Sequence, residues 1–299
     1  MADLAQAVRV FAPAKINLTL HVTGQRADGY HLLDSLVVFA DVGDHLAVHR
    51  QDGFSMRVEG REAAAVPADT DNLVLRVAAL FKDLQGARFH LLKELPVASG
   101  IGGGSADAAA AMRALAALSQ AGNAPDMADV LRLGADIPMC VRSDAARVRG
   151  IGDRIEPLTD LPPLHAVLVN PRRAVSTPSV FKALRNRNQP PMPETLPHFA
   201  DASDMAAWLG TQRNDLEAAA TSVDPAIAQV KAALEACQGC MLARMSGSGA
   251  TCFALFADHR TAKNAAARLC EAHPDWWIKP ARLGDQSQRA APQLIRSTT

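Results

Sequence analysis

The chain has 299 residues, 48% hydrophobic and 21% charged, which excludes disordered and fibrous classes and leaves length for one large domain or two medium ones. Lysine plus arginine equals aspartate plus glutamate at 31 each, which argues against a general nucleic-acid or membrane-surface role. Asp107 and Arg113 break the alanine-rich stretch, so no run of about eighteen uncharged apolar residues exists. Asp3, with no basic-then-apolar order around it, predicts no secretory signal. Five cysteines stand at 140, 237, 240, 252 and 270. Cys237 and Cys240 form a lone C-x-x-C without the second ligand pair that a structural zinc would need. Small core residues in a reduced, cytoplasmic protein are expected.

The first ninety residues read as strands. Ile16, Leu18, Leu20 and Val22 alternate with Asn17, Thr19 and His21, the period of a half-buried strand. Asp28-Gly29 marks a turn, and apolar stretches at 36–40, 45–49 and 54–58 are separated by Gly43-Asp44 and Asp52-Gly53. Leu73, Val77, Leu80, Phe81 and Leu84 line one face of a helix predicted over 73–84, with Gly86 as its stop. A glycine loop and a helix over 105–119 come next, then a short helix near 126–133. A strand at 166–169 opens a second half richer in helix. Four prolines at 190, 191, 193 and 197 indicate an exposed loop. Asp224-Pro225 starts a helix that runs to Ala236, and two strands, 241–245 and 251–256, flank the loop Ser246-Gly247-Ser248-Gly249-Ala250. A helix near 260–271 and a strand near 276–283 follow, and the last fifteen residues are polar and expected to fray.

The most informative stretch is Pro96-Val97-Ala98-Ser99-Gly100-Ile101-Gly102-Gly103-Gly104-Ser105-Ala106. Four glycines in five positions let backbone N–H groups converge without Cβ obstruction. The helix that follows turns its positive end to the same space, so loop and helix start make an anion cradle, most commonly for a nucleotide phosphate. No lysine stands between Gly104 and Ser105, which excludes a P-loop, and Ser105 replaces the third glycine of a dinucleotide fingerprint counted from Gly102. The preceding run Leu91 to Pro96 ends in proline, which suits a loop better than the end of a central strand.

Three segments stand out together: Pro13-Ala14-Lys15-Ile16-Asn17-Leu18, the glycine loop, and Ser246 to Ala250. Their order and spacing resemble the signature motifs of the GHMP kinases, named for galactokinase, homoserine kinase, mevalonate kinase and phosphomevalonate kinase. The resemblance covers nearly the whole chain and is weakest over 185–240 and at the tail. It implies an α+β, two-domain fold with the active site in the interdomain cleft: an N-terminal ATP-binding domain over 1–160, a C-terminal domain over 161–285 and a polar tail over 286–299. It also implies that residues 96–106 wrap the ATP phosphates, that Asn72 and Leu73 lie by the adenine, and that Mg²⁺ arrives with ATP. The sequence singles out no carboxylate ligand for the metal.

Gly24 to His31 follows the first motif and Leu133 to Pro138 lies downstream. Together they are similar to the family members of the non-mevalonate isoprenoid pathway whose acceptor carries a cytidine diphosphate group. The resemblance then implies transfer of the ATP γ-phosphate to the hydroxyl on the C-methyl-bearing carbon of a methylerythritol unit. By position it makes Lys15 and Asp136 the catalytic pair, Tyr30, His31 and Phe181 cytidine-binding, and Asn17 a neighbour of the acceptor. Many members carry a fuller glycine run and paired serines, whereas Ala98 and Ser99 stand here for glycines and Ala106-Asp107 follow Ser105. Expected partners are small molecules only, with no nucleic acid and no membrane, and the protein would be a monomer or a homodimer. The rivals are another GHMP kinase of mevalonate or homoserine type, and a non-catalytic nucleotide sensor of the same fold.

Each key residue also has a plainer reading. Asp136 could be a cap or turn residue before Ile137-Pro138. Lys15, on an otherwise apolar strand, could snorkel to water, since an unpaired ammonium there is costly. Paired, Asp136 would accept or orient the hydroxyl proton while Lys15 steadies the transferring phosphoryl oxygens. Tyr30, the only tyrosine, could stack on a pyrimidine while His31 reads its edge, or simply cover a core edge.

Overall fold

The structure, a computed structural model, describes residues 6–119 and 124–296. Strand β1 (Gln6–Asn17) is followed by β2 (His21–Gln25), β3 (His31–Arg50) and β4 (Gly53–Glu59). Helix α1 (Leu73–Ala78) leads to β5 (Gly86–Leu92), and helices α2 (Gly103–Leu118), α3 (Met127–Leu133) and α4 (Ile137–Arg142) come next. Strands β6 (Ala146–Gly150), β7 (Arg154–Pro157) and β8 (Leu164–Asn170) precede helices α5 (Thr177–Ala183), α6 (Ala202–Gly210), α7 (Glu217–Val223) and α8 (Ala226–Glu235). The hairpin β9 (Leu242–Met245) and β10 (Cys252–Phe256) is followed by α9 (His259–Ala272), β11 (Trp277–Gly284), α10 (Ser287–Ala290) and β12 (Gln293–Arg296).

The twelve strands among the described residues form one sheet, whose main path runs β12-β1-β3-β11-β8-β10-β9. Pairing is antiparallel except between β4 and β5. The expected domain boundary at 160/161 falls in the coil between β7 and β8, while the sheet runs on across it where β11 joins β3 to β8. One apolar cluster packs α1 and α2 on β1, β3 and β5 through Phe39, Phe89 and Leu115. A second packs α7, α8 and α9 on β8 and β10 through Phe256, Ile227 and Val230, and a third joins the halves through Ile16, Leu36 and Phe253.

Four expectations change. The stretch from Ile16 to Val22 is covered on both sides, for Asn17, Thr19 and His21 are buried too, and it bends between β1 and β2 instead of running on. Gly43-Asp44 is no turn: β3 passes straight through it, because the Asp44 carboxylate is buried and takes the backbone N–H groups of Glu94 and Leu95. Helix α1 stops at Ala78, short of Leu84, with Leu80, Phe81 and Leu84 packing from the turns that follow. The described part of the tail is not frayed, since β12 adds to the sheet edge against β1 and α10 precedes it; residues 297–299 lie outside the described residues. Polar composition hid a strand held by main-chain hydrogen bonds.

Cys140 and Cys252 are buried as expected, but Cys237 and Cys240 are half-buried and Cys270 is exposed. The run Leu91 to Pro96 divides between both readings: β5 holds Leu91 and Leu92, and the loop begins at Lys93.

Candidate active site

The glycine loop runs from the end of β5 to α2 and is bent by Ala98, Gly100 and Gly102, whose φ angles are 49°, 76° and 65°. Gly102 is the residue before α2 and has no side chain to cap it, so the first N–H groups of α2 stay open to an anion. A Cβ on Gly102 would stand 3.3 Å from the Lys15 side chain, so glycine is also what lets the loop close on β1. The Ile101 carbonyl accepts from the Lys15 N–H at 2.9 Å and locks loop and strand together.

Lys15 sits where the β1–β3 register shifts between Pro13 and Lys15. Its Nζ lies 2.7 Å from Asp136 Oδ2, with the lysine side chain 7% exposed and the aspartate side chain 37% exposed. Asp136 does occupy the position before α4, but its side chain caps nothing. The carboxylate is therefore free for Lys15 on one side and the cavity on the other. Arg113 of α2 fixes this arrangement from behind, donating to Cys140 O (2.6 Å) and Val141 O (3.2 Å) in α4 and to Phe11 O (3.0 Å) in β1. Burial, then the Asp136 charge, pushes the Cys140 thiol up to about 12, so it is neutral packing.

Asn17 is buried, its N–H donating to Ser246 Oγ and its Nδ2 to Ser35 Oγ. Asn17 lines the cavity, and its Oδ1 is buried without a partner. Ser246 Oγ in turn donates to Gly100 O, which ties the Ser246–Ala250 loop to the glycine loop.

These groups share one cavity of about 870 Å³. Lys15, Asp136, Asn17, Leu73, Ser105 and the loop residues Ala98, Ser99, Gly100, Gly102, Gly103 and Gly104 line it, as do Tyr30, His31 and Phe181. Pro96, Val97, Ile101, Ala106 and Asn72 do not. Pro96, Ile101 and Ala106 turn into the interior, Val97 is half-buried, and Asn72 spends its side chain capping α1 at Val74 N and donating to Pro67 O. At the far end His31 stacks on Phe181 with centroids 4.4 Å apart and planes 20° apart, while Tyr30 stands exposed beside them. The expectation had a pyrimidine stacked on Tyr30 with His31 reading the edge of the base; the structure lays the imidazole against Phe181. Burial, then the Arg187 charge, lowers the His31 pKa, so the ring is neutral near pH 7, and its Nε2 is buried without a partner.

Val175, Ser176, Thr177 and Leu216 also line the cavity, and no local pattern marks them. Ser248 lines it too and shares a 2.7 Å hydrogen bond with Thr177 Oγ1. The Ser-Gly-Ser-Gly motif was the visible sign of that wall, though it did not nominate a residue.

The model "GHMP kinases N terminal domain" matches residues 72–153 and "GHMP kinases C terminal" matches 194–275. A protein of Roseobacter denitrificans named 4-diphosphocytidyl-2-C-methyl-D-erythritol kinase is 58% identical over 292 residues, covering 97% of this chain and 98% of its own. One from Cereibacter sphaeroides with the same name is 58% identical over 274 residues, covering 91% of this chain and 98% of its own. A crystal structure of 4-(cytidine 5'-diphospho)-2C-methyl-D-erythritol kinase superposes with a TM-score of 0.74 at 33% identity, covering 92% of this chain and 99% of the other. A homoserine kinase from Cytophaga hutchinsonii shares the fold at a TM-score of 0.65 and 19% identity, covering 97% of each chain.

Proposed function

The chain belongs to the GHMP kinases and, within them, to the 4-diphosphocytidyl-2-C-methyl-D-erythritol kinases, and from that premise we propose that it transfers the γ-phosphoryl group of ATP to the hydroxyl on the C-methyl-bearing carbon of 4-diphosphocytidyl-2-C-methyl-D-erythritol. The reaction is a step of non-mevalonate isoprenoid precursor synthesis. The observation that carries this reading is the Lys15–Asp136 pair, 2.7 Å apart in a cavity that also holds the glycine loop and the aromatic cluster.

Phosphoryl transfer asks mainly for positioning and charge stabilisation. The open N–H groups at the start of α2 suit the ATP phosphates, and Leu73 lies beside the loop for the adenine end. Asn17 stands in the wall beside the acceptor substrate, Asp136 takes or directs the hydroxyl proton, and Lys15 faces the charge that builds on the transferring oxygens. Tyr30, His31 and Phe181 hold the cytosine, a base that mevalonate and homoserine lack. Further neutralising charge would come from Mg²⁺ bound with the nucleotide. Among the described residues no three or more His, Cys, Asp or Glu side chains gather as a metal site. No helix of the described residues is long and apolar enough to cross a membrane. Both nucleotides are water-soluble metabolites, which fits a cytoplasmic enzyme.

The test is ATP consumption across a panel of the cytidyl-methylerythritol acceptor, mevalonate and homoserine. Turnover is expected with the first alone; comparable turnover with mevalonate would overturn the assignment.

A further inference from the structure

Outside the cavity the structure buries a second ionic cluster. Lys93, Asp44 and Asp107 are 2%, 0% and 3% exposed. Lys93 Nζ donates to Asp44 Oδ2 at 2.6 Å and to Asp107 Oδ2 at 2.7 Å. The remaining Asp44 oxygen accepts from Glu94 N at 2.6 Å and Leu95 N at 2.8 Å. Asp44 lies in β3, Lys93 is the first residue of the glycine loop and Asp107 lies in the second turn of α2. The cluster thus joins the two ends of the glycine loop to the sheet. A Cβ on Gly103 would lie 3.1 Å from Lys93 Nζ, so the ammonium sits directly behind the first turn of α2.

Burial pulls the Lys93 pKa down, but the Asp107 and Asp44 carboxylates outweigh it and hold the ammonium above the ordinary lysine range. Buried ionic groups seldom add stability over apolar side chains of similar size, so packing alone does not account for three of them at one loop. None of the three lines the cavity.

We propose that Lys93, held between Asp44 and Asp107, is a positioning residue for the triphosphate: an internal strut that keeps the glycine loop and the start of α2 in their phosphate-holding shape. The proposal rests on the reading of that loop as the ATP cradle.

The test compares the full-length wild type with Lys93→Met and with Lys93→Met/Asp107→Leu, an apolar replacement that leaves Asp44 its two backbone donors. Calorimetric titration with a non-hydrolysable ATP analogue, and separately with cytidine diphosphate, reads the two ends of the cavity without turnover. Lys93→Met, which cuts the tie between the two ends of the loop, should weaken the analogue roughly 10-fold and leave cytidine diphosphate within about twofold. Amide exchange over residues 100–106 should quicken in the same variant. If Lys93→Met does not fold, the double variant carries the test: thermal stability returns while analogue affinity stays low. Recovery of affinity along with stability, equal weakening of both ligands, or unchanged analogue binding would each overturn the strut. A wild type that binds no ATP analogue would instead sink the reading of the cradle itself.

Discussion

At the scale of single residues, the contest between plain and functional readings turns on where a side chain's polar atoms point. Asp136 stands at a helix start, as the plainer reading has it, yet its carboxylate caps nothing and faces Lys15. Asp136→Asn keeps the shape and removes the charge, so kcat should fall by roughly 10²-fold or more while both KM values hold. Near-normal kcat would return Asp136 to the role of a turn residue. Tyr30 is 58% exposed and covers no core edge. Tyr30→Ala should therefore leave thermal stability alone and raise KM for the cytidyl substrate by the equivalent of about 1–3 kcal/mol of stacking, with KM for ATP unmoved. Tyr30→Phe should be nearly silent. An unchanged KM in Tyr30→Ala would place the base between His31 and other walls.

At the scale of elements, the glycine loop holds one residue against its preference. Ala98 has a φ of 49°, in the left-handed region that costs a residue with a Cβ roughly 1–2 kcal/mol. It is exposed, and its carbonyl accepts from Val175 N at 3.3 Å. Ala98→Gly should relieve the strain and, after the extra chain entropy of glycine, stabilise the protein by about 0.5–1 kcal/mol. Denaturant unfolding reads this as a higher midpoint at constant slope; a lower midpoint would mean that the strain is absent in solution. The loop's partners show how one element disciplines another: β1 through Lys15 N to Ile101 O, and the Ser246–Ala250 loop through Ser246 Oγ to Gly100 O.

At the scale of the whole molecule, the sheet is the unit that matters. β3 pairs with β1, β2, β5, β6 and β11, and β11 carries the pairing on to β8 and thence to β10 and β9. A continuous ladder with a third apolar cluster shared by both halves couples their unfolding. Calorimetry should show one transition, with calorimetric and van't Hoff enthalpies in agreement, moved upward as a whole by an ATP analogue. Two resolved transitions, with the break near residue 160, would mean that 1–160 and 161–285 behave as separate domains.

The sequence by itself determined the chemistry on offer. Glycine spacing and the alanine-rich helix behind it are local facts, and they implied an anion cradle because backbone conformation is set by nearest neighbours. The helix near 126–133 and the strands at 166–169 and near 276–283 were legible for the same reason, and the structure has α3, β8 and β11 there. Tertiary structure alone decided what those elements meet. Lys15 and Asp136 are 121 residues apart; the family resemblance paired them, but no local propensity sets the 2.7 Å contact. The same holds for Asp44, read as part of a turn yet buried in a strand against Lys93. Gly43-Asp44 looks like a break because local propensity favours one, and it is a strand because a buried ammonium and two backbone N–H groups, all close to fifty residues away, claim the carboxylate. The polar tail likewise becomes β12 only because β1 offers it an open edge. Pairing across long sequence separation depends on which surfaces the chain must bury together, and that is a property of the folded whole, not of any window within it.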